Sequence, residues 1–363
     1  MFVALRDIRF AKGRFALMGS VVALITLLIV LLSGLTAGLA DQSTSAVRNL
    51  EAENVAFGTS GDGDVEESYA DSTVTDGQLD TWSDAAEWAE PVGITQTRAE
   101  APDGNSTAVA VFGVVPEGRL APDAMPSGDF LAVSEEIAET FGLEEGRALT
   151  VSGQDLEVAA VVPDEFYSHT PAVWTDVETW RGLDPAVRHA EGADAPVANV
   201  VAAGAADDGA AEAADADAGT VSSPLDDSMH AVGSFSSENS SLVAMQGFLY
   251  AISALVVGAF LTVWTIQRSG DVAILKALGG STKYLLRDAL AQALIVLVAG
   301  TALGGAVGVG VGALAAGVLP FALTAGTTIG PVLALIVLGM LGAALAVRRI
   351  TSVDPLTALG GVR

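Results

Sequence analysis

The sequence predicts an α-helical membrane protein: four transmembrane helices, with one α+β extracytoplasmic domain inserted between helices 1 and 2. Three observations carry that prediction. First, long stretches hold no charge: Phe15–Ala40 and Leu242–Gln267, 26 residues each, and Ala289–Val347, 59 residues with a break at Pro320, Thr324–Thr328 and Pro331. At about 1.5 Å per helical residue, 26 residues exceed the roughly 30 Å of a bilayer core, and 59 suffice for two passes. Second, the charge is segregated. Of 44 acidic residues, 40 lie between Ala40 and Ser241, where there are six arginines and no lysine. Third, the other 11 basic residues share the rest of the chain with only Asp7, Asp271, Asp288 and Asp354, clustering at Arg6–Arg14, Arg268–Arg287 and Arg348–Arg349. The positive-inside rule puts those clusters in the cytoplasm. The expectation is a multi-pass plasma-membrane protein with both termini cytoplasmic and its acidic domain extracellular.

Residues 1–14 alternate Phe2, Leu5, Ile8 and Phe10 with Arg6, Arg9 and Lys12, the spacing of an amphipathic cytoplasmic helix lying on anionic lipid headgroups. Residues 15–40 form transmembrane helix 1; the run is longer than the 7–15 apolar residues of a cleaved signal and reads as a retained anchor. Residues 41–241 are the extracytoplasmic domain. Its strand-like runs are Ala108–Val115, Ala148–Val151 and Leu156–Val162, bounded by Gly, Pro and Asp. Ser134 precedes a short helix with acids in its first turn and reads as its cap. Residues 202–220, rich in Ala, Asp and Gly, are too poor in large apolar side chains for a core and read as a disordered loop. Ser228–Phe235 offers a short strand or stalk. Helix 2 covers 242–267, a charged cytoplasmic loop 268–288, helix 3 residues 289–319, helix 4 residues 329–347, and a cytoplasmic tail 348–363. In helix 3, Gly300, Gly304, Gly308 and Gly312 recur every four residues, a stripe that lets helices approach closely, within the chain or across a dimer.

Chemistry is excluded as much as suggested. There is no cysteine, hence no disulfide or thiolate site, and none of the three lysines follows a phosphate-cradling glycine loop. His169, His189 and His230 lack zinc-type spacing, and no serine sits in a nucleophile elbow. The acid pairs read as solvated surface. A net charge of −27 gives no footprint for nucleic acid. Helices 2 to 4 hold no ionisable residue of the kind a proton- or sodium-driven carrier keeps at membrane depth. The chain is therefore not an enzyme by its motifs, and work done on a substrate needs an outside energy source.

The loop Gly270–Leu290 supplies a candidate for that source. Ala273-Ile274-Leu275-Lys276-Ala277-Leu278-Gly279-Gly280-Ser281 follows Arg268 at the exit of helix 2, and resembles the cytoplasmic loop of MacB/FtsX-type ABC transporter permeases. Arg6-Asp7-Ile8-Arg9 with Lys12-Gly13-Arg14 is similar to that family's N-terminal basic helix, Asp354-Pro355-Leu356-Thr357-Ala358-Leu359 to its tail, and Val133–Leu143 to its extracytoplasmic core. The resemblance implies a homodimeric permease working with a separate cytoplasmic ABC ATPase, which would hydrolyse the ATP. Ile274, Leu275, Lys276, Leu278, Gly279, Gly280 and Lys283 are then the coupling residues. Gly279-Gly280, by themselves, end the loop helix on a compact turn.

Within that family, Ser237–Leu249 and Thr265–Gln267 most resemble the haem-export permeases of Gram-positive bacteria, which implies haem as substrate, with no permanently bound cofactor. Export of lipid, peptide or antibiotic, or an FtsX-like role regulating a cell-wall hydrolase without transport, remain alternatives. Haem iron takes His, Met, Tyr, Cys or carboxylate ligands. Glu238 and Met245, seven apart on one helical face, are candidates, with Tyr250, Met18 and His230. A two-fold axis would double each of them.

Overall fold

A computed structural model describes residues 12–59, 65–122, 125–192, 195–206, 208–267 and 282–351. The chain starts with α1 (Lys12–Arg48), then β1 (Asn54–Phe57), β2 (Val74–Thr75), α2 (Asp76–Ala85), β3 (Ala89–Glu100) and β4 (Ser106–Val114). There follow β5 (Phe130–Ser134), α3 (Glu135–Phe141), β6 (Ala148–Val151), β7 (Gln154–Val162), β8 (Phe166–Tyr167), β9 (Thr170–Asp176) and α4 (Val177–Leu183). The rest comprises β10 (Pro196–Ala198), β11 (Val200–Ala203), α5 (Asp208–Ala218), β12 (Val221–Pro224), α6 (Leu225–Ser228), α7 (Gly233–Gln267), α8 (Thr282–Ala315) and α9 (Ala325–Thr351). Two compact units result: residues 39–239, and residues 1–38 with 240–363.

The second of these is helical. Phe15–Arg48, Gly233–Phe260, Arg287–Ala315 and Ala325–Ala346 are long and apolar enough to cross a membrane. α1 and α9 overrun the expected spans at both ends, α7 and α8 only at their starts, and α8 stops at Ala315, short of the expected 319. α1 continues to Arg48, because Asp41–Arg48 has no Gly or Pro to stop it, and α7 begins nine residues before the apolar run. Phe15, Met18, Val22, Val257, Ala293, Val296, Leu297 and Ala343 make the bundle core. The glycine stripe faces inward. A Cβ at Gly304 would overlap the Ala23 carbonyl oxygen, and one at Gly308 would meet Val30 at 3.0 Å, so α8 lies against α1 at backbone distance. At the end of α8, the Phe321 ring fills a notch left by Gly34 and Gly312, and Ala322 N–H donates to the Gly34 carbonyl at 3.0 Å.

Residues 39–239 form a mixed sheet in the order β12-β1-β11-β3-β4-β9-β5-β7-β6, with β3 also pairing β6. That last pairing, Ala99 with Val151, closes β3, β4, β9, β5, β7 and β6 into a ring. β4 and β9 run parallel, as do β5 and β7; every other pairing of these strands is antiparallel. The expected strands all lie in this ring. Trp180 of α4 is fully buried against Gly93 and Gly113, where any Cβ would collide with its indole. Its Nε1–H donates to Thr95 Oγ1 at 2.9 Å, whose hydroxyl in turn donates to Asp184. The polar tip of a buried indole is thus satisfied.

Three sequence expectations are corrected. The Ala/Asp stretch 202–220 is ordered: Val200–Ala203 is a strand and Asp208–Ala218 a helix. Alanine is the best helix former, and Ala214 is buried with Trp82 and Val74 while Ala211 and Ala218 pack alongside. Small side chains suffice because the helix lies close on α2. Asp215 fastens its end, accepting from Thr220 Oγ1 at 2.7 Å and Ser222 Oγ at 2.7 Å. Ser134 makes no capping hydrogen bond; Glu136 N–H instead donates to Asp164 Oδ1 at 2.7 Å. Ser228–Phe235 is neither strand nor stalk but a helical turn, a 3-10 turn at Met229–Ala231 and the start of α7.

Residues 1–11, the loop segment 268–281 and the tail 352–363 lie outside the described residues. So do the coupling candidates Ile274, Leu275, Lys276, Leu278, Gly279 and Gly280; Lys283 falls in the first turn of α8.

Candidate functional site

The β8–β9 hairpin touches the ends of α1 and α7 that belong to its own unit, residues 39–48 and 233–239. Tyr167 pairs with Thr170, so Ser168 and His169 form a two-residue loop. Both have positive φ, 48° and 61°. A two-residue hairpin loop of this kind normally uses Asn-Gly or Asp-Gly; each non-glycine residue there costs about 1–2 kcal/mol. The bent backbone aims its amides at α1. Ser168 N–H donates to the Ser43 carbonyl at 3.0 Å and His169 N–H to that of Gln42 at 2.9 Å. Next to them, Phe166 N–H donates to Ser45 Oγ at 2.8 Å and Asn49 Nδ2 to Glu165 Oε1 at 2.9 Å. Burial pushes the Glu165 carboxyl above its ordinary value, with the Asn49 bond and Arg48 pulling back and Asp41 adding to the rise.

The same loop reaches α7. Ser168 Oγ lies 2.9 Å from Ser234 Oγ. His169 Nε2 lies 3.1 Å from each carboxylate oxygen of Glu238 and 3.1 Å from Ser43 Oγ. The His169 and Glu238 side chains are 34% and 39% exposed. Below the hairpin, Tyr167 and Tyr69 are buried in an aromatic cluster with Phe57, Phe112 and Trp174. Burial holds both phenols neutral by raising their pKa, and the Tyr69 hydroxyl pairs with Ser228 Oγ at 2.7 Å.

The candidates chosen from sequence separate. Glu238 sits in this polar cluster. Met245 lies on α7 with 47% exposure, and Phe248 and Ile252 further along are also open. Tyr250 is half-buried on the same helix. Met18 is 3% exposed and packs in the bundle core, leaving its thioether no open side. His230 is exposed and stacks on Phe235, ring centroids 5.5 Å apart. Among the described residues no group of three or more His, Asp or Glu could hold a metal ion. His169 was absent from the sequence-based ligand set: Ser43 and Glu238 stand 126 and 69 residues away, and a Ser-His pair is no turn signal.

Within the bundle, Gln246 Nε2 donates to Thr36 Oγ1 at 3.0 Å, joining α7 to α1. Of the four membrane helices α7 is the least covered. Residues 243–355, from within α7 to just past the end of α9, match the model of the FtsX-like permease C-terminal family. The matched stretch takes in most of α7 and all of α8 and α9. The whole chain is 24% identical over 378 residues to a hemin transport system permease protein, HrtB, of Staphylococcus haemolyticus, covering all of both chains. The same-named protein of Staphylococcus epidermidis strain ATCC 12228 is 29% identical over 143 residues, 39% of this chain and 41% of that one. Among solved structures, the periplasmic region of MacB from Actinobacillus actinomycetemcomitans matches 50% of this chain and 92% of its own, at 12% identity and a TM-score of 0.35.

Proposed function

We propose that the chain is the membrane subunit of an ATP-driven ABC exporter whose cargo is haem, acting as a homodimer with a separate cytoplasmic ATPase. The observation that carries the cargo is the end-to-end likeness to a hemin transport permease. The chemistry of α7 supports it. A porphyrin needs an apolar surface for its ring and a donor atom for its iron. α7 carries Glu238 and, further along, the exposed Met245, Phe248 and Ile252. A second copy would bring a second α7 and close an apolar slot, each donor appearing twice.

Energy enters through the charged loop. The FtsX-like match includes residues 268–288, and no nucleotide-binding motif occurs anywhere in the chain. Ile274, Leu275 and Leu278 would seat in the ATPase, with Lys276 and Lys283 flanking the contact. In this arrangement the loop faces the cytoplasm and the acidic sheet domain faces outward.

The test uses the full chain with its ATPase in nanodiscs. Haem should stimulate ATP hydrolysis, and Leu278→Asp should abolish that stimulation while haem still binds. Hydrolysis indifferent to haem but stimulated by a lipid, peptide or antibiotic would replace the cargo. No response to any cargo, with a cell-wall hydrolase co-purifying, would favour a regulator.

A further inference from the structure

We infer that the sheet domain holds a binding site of its own between α2, α4 and β10, and that its ligand is a short zwitterion: an amino acid or small peptide with free ammonium and carboxylate groups. The inference goes beyond the transport reading and does not rest on it. An open pocket of about 350 Å³ is lined by Asp76, Arg181 and Arg188, with Val187, Pro196 and Val197 as an apolar wall. Its sides are fixed to one another. Pro196 of β10 pairs with Thr75 of β2, which brings Asp76, the first residue of α2, to that strand. Arg181 Nε–H donates to the Val197 carbonyl at 2.9 Å and ties α4 to β10. All of these residues belong to the unit 39–239.

Charge selects the ligand. Between Ala40 and Ser241 there are 40 acids and six arginines, yet this pocket gathers two arginines around one acid. Arg181 Nη1 pairs with Glu178 at 2.7 Å, which offsets its charge and leaves Nη2 without a hydrogen bond among the described residues. Arg188 and Asp76 form no ion pair or side-chain hydrogen bond among the described residues, with each other or with any neighbour. The pocket therefore keeps one uncompensated charge of each sign. A plain anion meets repulsion from Asp76 and a plain cation meets it from Arg188; a molecule with both ends complements both. The guanidinium fork of Arg188 suits a carboxylate, and Asp76 accepts from an ammonium. Val187, Pro196 and Val197 then face the short apolar part between the two ends, the usual division of labour in a small-molecule pocket.

The experiment is calorimetric titration of the full chain in nanodiscs with dialanine and, separately, with alanine. Binding of either at millimolar concentration supports the site, and the tighter of the two names the source. Arg188→Ala should weaken dialanine binding at least about tenfold, the loss of one charge-assisted hydrogen bond. Asp76→Asn should weaken it by a similar factor and leave N-acetyl-dialanine, which has no ammonium, bound as before. Both residues are exposed, so both variants should melt with the parent chain. A ligand-side arm needs no variant: N-acetyl-dialanine and dialanine amide should each bind the parent at least about tenfold more weakly than dialanine. Dialanine and alanine that both fail to bind, or that bind both variants as they bind the parent, overturn the inference. So does inorganic phosphate bound as tightly as dialanine, lost in Arg188→Ala and indifferent to Asp76→Asn, which would make this a plain anion site.

Discussion

Adding one methyl group to α8 at two positions six residues apart should stabilise the chain at one of them and not at the other. At Gly304 a Cβ would overlap the Ala23 carbonyl oxygen and lie 2.8 Å from Thr26 Cβ, whereas at Gly310 nothing stands within 4 Å. Both substitutions replace glycine by alanine inside the same helix, and each gains about 1 kcal/mol of helix propensity. Gly304→Ala also forces α8 away from α1, and overpacking of that kind costs about 1–3 kcal/mol. Gly310→Ala should therefore be stabilised by about 1 kcal/mol, and Gly304→Ala should range from unchanged to about 2 kcal/mol less stable. The propensity term cancels in the difference, leaving about 1–3 kcal/mol of packing alone. The assay is unfolding of the full chain in mixed micelles, titrated with denaturing detergent and followed by tryptophan fluorescence. Equal shifts at the two sites would refute an α1–α8 contact at backbone distance. A fall in dimer content for Gly304→Ala, with unfolding unchanged, would assign the stripe to contact between copies.

Other perturbations have equally definite outcomes. Trp180→Ala empties a site closed by Gly93 and Gly113 and should cost about 3–5 kcal/mol in chemical denaturation; a loss under 1 kcal/mol would mean that α4 collapses into the space. Burial raises the Glu165 carboxyl pKa, so the folded state binds that proton more tightly than the unfolded chain. Its stabilising contribution is complete below the unfolded value and is lost as pH rises through the raised folded one. Glu165→Gln, which keeps an acceptor for Asn49, should melt above the parent protein at pH 7 and approach it near pH 4; a gap that widens toward acid contradicts the assignment. Phe321→Ala removes the ring between Gly34 and Gly312, and the Ala322 amide, bonded to Gly34, should exchange with solvent about tenfold faster or more as the loop opens locally. Unchanged protection would show that the backbone bond holds without the ring.

Much of the architecture could be read before any coordinates. Charge-free runs of 26 and 59 residues leave few options in an aqueous chain, and all four helices appear where those runs lie. β6 was placed to the residue, because alternating apolar positions between glycines admit one register. The misreadings share a cause. Residues 202–220 lack large apolar side chains, and composition alone argued against order. The alanine helix folds because α2 supplies Trp82 and Leu79 as the other wall, information held 130 residues earlier in the chain. Ser134 looked like a cap by position, but Asp164 takes the amide it would have served.

The candidate site divides along the same line. Glu238 could be singled out from sequence, since a carboxylate at the mouth of an apolar helix is conspicuous. Its environment could not. His169 meets it only because β8 and β9 turn through a strained two-residue loop onto α1. Met18 and Met245 look alike in sequence, and only packing shows one closed within the bundle and the other open. The sequence by itself determined which segments are apolar enough to leave water, because transfer free energy sums over local composition. Tertiary structure alone decided which donor atoms share one pocket of space, because chain closure brings together residues whose separation along the sequence carries no signal.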